Sequence, residues 1–350
     1  MRTTDFDYDL PQELIAQTPI EPRDASRLLI VNRATGALTH RHFYEIADYL
    51  RPGDLLVGND SRVIPARLYG HKTPTGGQVE LLLLSKRGEK VWEALTRGKR
   101  IRPGTVIALN TPDRANEAPP IARVLEVLES GSRLIEFEAP VEKWLDTLGI
   151  VPLPPYIHQP LQEADRYQTV YSRIRGSVAA PTAGLHFTSQ LMEDVRSRGV
   201  EFAFVTLHIG LDTFRPVQEE TVEAHQIHTE ICMIEPAVAG SINAARRAGR
   251  RIIALGTTSV RVLESAGRLA VERGNGEPVT PMAGPTNLFI YPGYKYRVVD
   301  HMITNFHLPR STLLMLVSAF AGRDLIMDAY SEAIRERYRF YSFGDAMFLM

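Results

Sequence analysis

Hydrophobic and polar positions alternate along this chain in three ways, and each predicts a different element. The segment "EPAVAGSINAARRAGR" from Glu235 has the amphipathic spacing of a helix, with Pro236 where a first turn accepts it, arginines in the last turn and Gly249 as a stop. A second pattern crowds between about Arg67 and Pro140. There "ARLYGHK", "QVELLLLSK", "VWEALTR", "GTVIALN", "IARVLEVLES" and "RLIEFEA" recur at roughly 8 to 12 residue spacing, separated by turn-forming stretches such as "TPTGG" and "RGKRIRPG". This rhythm predicts a small all-β barrel.

In the third pattern an apolar strand ends abruptly in a polar cluster. "DLLVGNDSR" from Asp54, "EFAFVTLHIG" from Glu201, "RIIALGTTSVR" from Arg251 and "NLFIYPGYKY" from Asn287 all show it, and "HMITNFHLPRST" from His301 is a looser case. Open α/β sheets bind ligands at the carboxyl ends of their strands, so these clusters are expected to meet in one crevice. The fold class expected is therefore α/β: a larger mixed-sheet domain carrying an inserted small β-barrel. The boundaries fall at residues 1–66 and 150–350 for the discontinuous α/β domain and 67–149 for the barrel, with the proline-rich "VPLPPYIHQP" marking the return.

At 350 residues two domains are expected, and 44% hydrophobic with 23% charged residues fits a soluble globular protein. Forty Lys and Arg against 41 Asp and Glu leave a net charge of -1, so a polyanionic partner has to be met by a local patch. Cys232 is the only cysteine, which excludes an internal disulfide and a thiolate zinc cluster and fits a reducing compartment. The acidic amino terminus lacks signal-peptide character, and "LLMLVSAFAG" from Leu313 is far short of the roughly 20 residues of a membrane span. A cytoplasmic protein with no membrane partner is expected.

Candidate chemistry sits in short motifs. "IIALGTTSVRVLES" reads as strand, glycine, hydroxyl cluster and helix, which presents unpaired N–H groups to a carboxylate or phosphate, with Arg261 and Glu264 able to point at the same ligand. Spacing alone favours an N-capped helix packed on the sheet, with those two residues as a surface pair. "HQIHTE" groups His225, His228 and Glu230 near His208 in sequence, a competent zinc set in kind but not in the HExxH arrangement, and structural or substrate-contacting roles are expected instead. Asn305 and His307 in "TNFHLP", and Asn59, Asp60 and Arg62 in "GNDSR", suit ribose or purine contacts, proton transfer, or ordinary turn chemistry. Two basic stretches suit RNA: Arg97, Lys99, Arg100 and Arg102 in one, and Arg166, Arg173 and Arg175 interleaved with Tyr167 and Tyr171 in the other. "GSVAAPTAGLHF", from Gly176 to Phe187, reads as a linker or as a wall of small residues ending on His186.

Taken in order, "NDSRVIPARLYG", "GGQVELLL", "PLPPYI", "DRYQTVYS", "GSVAAPTAGLHFT", "VTLHIGLDTFRPV", "HQIHTE", "ALGTTSVRVLES", "PGYKY", "VDHMITNFHLPRSTLLMLVSAFAG" and "YRFYSFGDAMFLM" resemble the S-adenosylmethionine:tRNA ribosyltransferase-isomerase family of queuosine biosynthesis over essentially the whole chain. The chain departs from that family's pattern at Asp212, where glycine is usual, at Ile227, where methionine is usual, and at Ser61, where threonine is usual.

The resemblance implies transfer of the ribosyl part of S-adenosylmethionine to 7-aminomethyl-7-deazaguanine at the tRNA wobble position, giving epoxyqueuosine with release of adenine and methionine. It also implies S-adenosylmethionine as donor substrate, no metal, and the anticodon arm as partner. A monomer is expected, with a weak dimer as the alternative. On that reading Thr257, Thr258, Ser259 and Arg261 clamp the methionine carboxylate. Glu264, Asn305, Ala183 and Gly184 line the donor site. His186, His208 and His307 rank above Asp60 and Glu264 for proton transfer, because imidazole titrates nearest working pH. Two rival readings remain: a tRNA-binding module without catalysis, and a histidine-metal hydrolase.

Overall fold

The strands that end in polar clusters form the middle of a large sheet in the computed structural model, which describes residues 1–111, 118–210, 216–274 and 276–350. Asp212, one of the departures noted above, lies outside the described residues. The chain divides into two compact units: Met1–Arg62, Pro154–Ile174 and Ala180–Met350 in one, Val63–Leu153 and Arg175–Ala179 in the other.

The first unit holds a sheet of nine strands among the described residues. In chain order these are β1 (Arg27–Val31), β2 (Leu38–His42), β3 (Leu55–Asn59), β12 (Glu201–Leu207), β13 (Glu230–Ile234), β14 (Ile252–Leu255), β15 (Met282–Thr286), β16 (His301–Asn305) and β17 (Ala346–Leu349). Their spatial order is β15-β13-β12-β3-β14-β16-β17-β1-β2. The four central strands β12, β3, β14 and β16 run parallel, so their carboxyl ends lie along one edge. Leu56, Ile253, Leu255, Ile303, Leu28, Ile30 and Phe348 pack together with Leu191, Met192 and Val195 of helix α2 (Ser189–Ser197). The alternate residues Leu55, Val57, Ile252, Ala254 and Met302 are buried too, which means that both faces of the sheet are covered.

Helices form where capping and composition agree. The Thr188 hydroxyl accepts from Leu191 N–H at 3.0 Å to start α2. The segment expected as a helix is α3 (Pro236–Arg247), with Pro236 in its first turn, Arg246 and Arg247 in its last and Gly249 beyond it at φ 67°. Helix α4 (Thr257–Arg273) leaves β14 through Gly256 at φ 90° and ends on left-handed Gly274. Helices α5 (Thr312–Ala321) and α6 (Arg323–Arg335) follow β16.

The second unit is the expected barrel. Strands β5 (Arg67–Thr73), β6 (Gln78–Lys86), β7 (Val91–Arg97), β8 (Val106–Leu109), β9 (Ile121–Val127) and β10 (Arg133–Phe137) close in the order β10-β7-β6-β5-β8-β9. Leu68, Val79, Leu81, Leu83, Trp92, Ala94, Ile107, Val124 and Ile135 fill it at alternate positions. A short helix α1 (Glu142–Leu148) follows, and β4 (Ser61–Val63) and β11 (Ile174–Ser177) pair as a separate ribbon. The α/β class with a closed barrel is the one expected.

One expected strand does not form. "NLFIYPGYKY" carries no ladder, and the strand on that side is β15, which ends at Thr286 just before it. Side chains of α4 hold it and the residues that follow instead: Leu288 O accepts from Arg261 Nε, Tyr294 Oη donates to the Glu264 carboxylate, and the N–H groups of Arg297, Val298 and Val299, just beyond the segment, donate to the same carboxylate. In "DRYQTVYSRIRGS" a 3-10 turn at Ala164–Tyr167 is followed by a turn at Val170 and Tyr171 and then by β11.

Candidate functional site

A pocket sits at the carboxyl ends of β14 and β16 in the α/β unit and encloses about 520 Å³ of space, its open mouth included. A small-molecule site of this kind is ordinarily an apolar cleft with a few convergent polar groups. Ala180, Pro181, Thr182 and Ala183 form one wall, Gly256, Thr257 and Thr258 another, and Thr304, Asn305, Phe306, His307 and Leu308 a third. Tyr156, Ile209, Tyr341 and Ser342 complete much of the rest. The stretch "GSVAAPTAGLHF" thus contributes a wall rather than a slack linker. Ala183 is at once pocket lining and a member of the sheet's apolar cluster.

Helix α4 opens onto this pocket with no side chain capping its first turn. Gly256 at φ 90° makes the sharp exit from β14 that a Cβ would strain, and its absent side chain leaves the first-turn N–H groups to a ligand. The Thr258 hydroxyl beside them is buried without a hydrogen-bond partner. Ser259, by contrast, turns inward and donates to Leu255 O at 2.9 Å.

Arg261 and Glu264 are neither a surface pair nor free to meet a ligand. Arg261 is 5% exposed and is ion-paired with Glu230 of β13, leaving only its Nη2 unpartnered. Glu264 is fully buried and accepts from Tyr294 Oη at 3.0 Å as well as from the three backbone N–H groups named above. Both carboxylates are consumed in holding the loops beside α4, with Glu230 also accepting from Gly210 N–H at 3.1 Å.

Of the histidines expected to move protons, His307 alone lines the pocket. Its Nε2 lies 2.7 Å from Thr304 Oγ1, its backbone N–H donates to Tyr330 Oη, and its carbonyl accepts from Tyr8 Oη. Burial pushes the imidazole down to about 3, so it is neutral at physiological pH. His186 lies behind the wall, stacked on Phe43 at 4.9 Å, with Nδ1 2.7 Å from Ser26 Oγ and Nε2 3.1 Å from Asn305 Nδ2. Burial, then the nearby Arg339 and Arg23 guanidinium groups, lower it to about 3 as well.

His208 lies beyond the end of β12, its Nδ1 buried without a partner, and burial lowers its pKa against the pull of Asp60. Asp60 itself accepts from Thr206 Oγ1 at 2.7 Å and from Arg173 Nη2 at 2.9 Å, so this carboxylate is committed inside the fold. Gly184 is required by packing: a Cβ there would come within 2.0 Å of Tyr171 Oη.

The metal reading of "HQIHTE" finds no support in the placement of its residues. His225 Nδ1 meets Glu219 at 2.8 Å while Glu230 pairs with Arg261. No group of three or more His, Cys, Asp or Glu placed to hold a metal occurs among the described residues. Sequence reading also missed Thr182, Tyr156, Thr304, Tyr341 and Ser342, although each lies inside a quoted motif. Tyr341 carries the clearest structural signal, a left-handed φ of 71°.

With this geometry in view, comparison with known proteins is decisive. A family profile described as queuosine biosynthesis protein matches residues 3–349. The chain belongs to the queuosine biosynthesis protein family. Within that family, it is 53% identical over 352 residues to the S-adenosylmethionine:tRNA ribosyltransferase-isomerase of Acetivibrio thermocellus, covering 100% of both chains. It is also 53% identical over 353 residues to the protein of the same name from Symbiobacterium thermophilum, again with 100% of each covered. The crystal structure of S-adenosylmethionine tRNA ribosyltransferase from Thermotoga maritima is similar, with TM-score 0.55 and 39% identity over 99% of this chain and 100% of that one.

The two basic stretches of this family member differ sharply. Arg166 pairs with Glu21, Arg173 with Asp60 and Arg175 with Asp146. Arg97, the last residue of β7, and Lys99, Arg100 and Arg102, in the exposed turn that follows it, have no ion-pair partner among the described residues. Arg100 holds that turn at φ 54°. No helix among the described residues is long and apolar enough to cross a membrane.

Proposed function

We propose that the protein transfers and isomerises the ribosyl part of S-adenosylmethionine onto 7-aminomethyl-7-deazaguanine at the tRNA wobble position, yielding epoxyqueuosine and releasing adenine and methionine. The observation that carries this reading is end-to-end similarity, at 53% identity, to relatives bearing the ribosyltransferase-isomerase name.

The chemistry sets what the pocket has to supply. The sulfonium acidifies the adjoining ribose carbon, a base takes the proton, adenine leaves as the ring opens, the substrate amine attacks, and recyclisation expels methionine. A positioned base and a clamp for the methionine carboxylate serve these steps. Supporting the clamp are the uncapped first turn of α4 and the unpartnered Thr258 hydroxyl, with Thr257 beside them. Arg261 then serves by holding Glu230 and Leu288 rather than by touching the carboxylate. We assign proton transfer to His307, since its imidazole alone among the candidate histidines lines the pocket.

The anticodon arm is assigned to the barrel turn of Arg97, Lys99, Arg100 and Arg102, in an inserted domain spanning 67–149, with the protein acting as a cytoplasmic monomer. Uncommitted guanidinium and ammonium groups release counterions on meeting phosphate, whereas Arg173 would have to abandon a buried Asp60.

Incubating the protein with S-adenosylmethionine and tRNA carrying the modified base tests the reading. One adenine and one methionine per modified tRNA are expected. S-adenosylhomocysteine as product, or tRNA binding with no release of either, would overturn it in favour of methyl transfer or a non-catalytic binding module.

A further inference from the structure

We infer that His186 is a positioning residue that fixes the Asn305 amide, so that Asn305 Oδ1 and Thr182 Oγ1 stand together at the pocket wall as an acceptor pair for the vicinal diol of a ribose. The inference rests on the S-adenosylmethionine reading above.

The hydrogen-bond chain admits one assignment. Tyr341 O can only accept, and it lies 3.2 Å from one end of the Asn305 amide, so that end is Nδ2. The other Nδ2 proton points at His186 Nε2, 3.1 Å away, which therefore accepts. The proton of the neutral ring then sits on Nδ1 and is donated to Ser26 Oγ at 2.7 Å. Thr182 Oγ1 donates to Asn305 Oδ1 at 3.0 Å. With both amide protons and the Thr182 proton spent, this wall offers only oxygen lone pairs to whatever enters the pocket that both residues line. Two acceptors 3.0 Å apart match the spacing of two neighbouring hydroxyls, each of which needs an acceptor when buried.

The surroundings of His186 suit a fixed neutral ring. Phe43 stacks on its face, Arg23 and Arg339 are the charged groups near it, and both oppose protonation. Tyr341 is held at φ 71° with its carbonyl aimed at Asn305, so the amide is gripped from both sides. His186 Nε2 is occupied by Asn305, which leaves no free ring nitrogen for a substrate proton.

The test compares His186→Leu, His186→Gln and Ser26→Ala with the wild type. Titration calorimetry measures binding of S-adenosylmethionine and of its 2′-deoxy counterpart, and kcat/KM is followed from pH 5.5 to 8.5. The wild type is expected to prefer the ribose form about tenfold or more. His186→Leu should lose that preference, Ser26→Ala should weaken it, and His186→Gln, whose amide oxygen can still accept from Asn305, should largely keep it with an unchanged pH profile.

A His186→Gln protein as inactive as His186→Leu, with the acid limb of the profile gone, would make His186 a proton carrier and sink the inference. So would a wild type indifferent to the 2′-hydroxyl, or a His186→Leu protein that still discriminates. Diol preference without release of adenine and methionine would instead sink ribosyl transfer and leave the positioning role standing. Thermal unfolding of each variant separates these results from simple loss of the fold.

Discussion

The pocket at the ends of β14 and β16 and the basic turn after β7 are both polar, yet their polar groups are in opposite conditions. In and behind the pocket walls nearly every group is engaged before a ligand arrives: His186, Asn305 and Thr182 form one chain, and Glu230, Arg261 and Glu264 brace the loops beside α4. In the barrel turn four cations stand exposed with no partner among the described residues. Burial explains the contrast. A polar group withdrawn from water costs several kcal/mol unless it is paired, while an exposed charge is satisfied by solvent and can wait for a phosphate. What remains unpaired in the buried region is correspondingly informative, and the Thr258 hydroxyl is the clearest case.

Substitutions should reproduce the contrast. The largest effect is expected from Arg261→Ala, which removes the cation paired with the buried Glu230. Chemical denaturation should show a loss of about 3 to 5 kcal/mol, and full stability with weakened S-adenosylmethionine binding would restore Arg261 to a direct ligand contact.

Acid comes next. His186 and His307 are held near 3 in the folded protein, below the ordinary value of about 6.5. Below that value the unfolded chain takes up protons that the folded chain refuses, so stability is full above about pH 6.5 and falls toward pH 3. The slope approaches about 1.4 kcal/mol per pH unit for each histidine. Urea midpoints measured from pH 7 to pH 5 should fall accordingly, and less steeply in His186→Gln.

Gly184→Ala follows, at about 1 to 3 kcal/mol from overpacking against Tyr171. Tyr171→Phe should return part of that loss in the double variant. Additive losses would show that the clash with the hydroxyl is not the cause.

The smallest effect on stability belongs to the barrel turn. Replacing Arg97, Lys99, Arg100 and Arg102 with Gln should change stability by less than about 0.5 kcal/mol per site. The same replacements should flatten the salt dependence of tRNA binding by about 0.7 to 0.9 per lost phosphate contact. An unaltered slope would move the RNA surface elsewhere.

Much of the fold was legible because it is periodic. The six barrel strands, α3 and the apolar runs of β3, β12, β14 and β16 are written in local spacing, and parallel pairing then places their polar ends on one edge. "NLFIYPGYKY" misled because its apolar residues look like a strand while its Leu288 carbonyl and Tyr294 hydroxyl bond to Arg261 and Glu264, distant in sequence. The site was legible in kind and not in role. "GTTSVR" and "TNFHLP" were read as ligand-facing, and Thr257, Thr258, Asn305 and His307 do line one pocket. Arg261, Glu264, His186 and Asp60 looked equally available, since a residue's commitments to its neighbours leave no trace in local pattern.

The sequence by itself determined the class of fold, the barrel within it and, through its ordered motifs, the family, because hydrophobic period and turn chemistry are local properties that survive unpacking. Only the tertiary structure decided which side chains are spent holding the fold and which face the pocket. That decision rests on hydrogen bonds such as Asn305 to His186, 119 positions apart, and on burial, which makes each such bond obligatory.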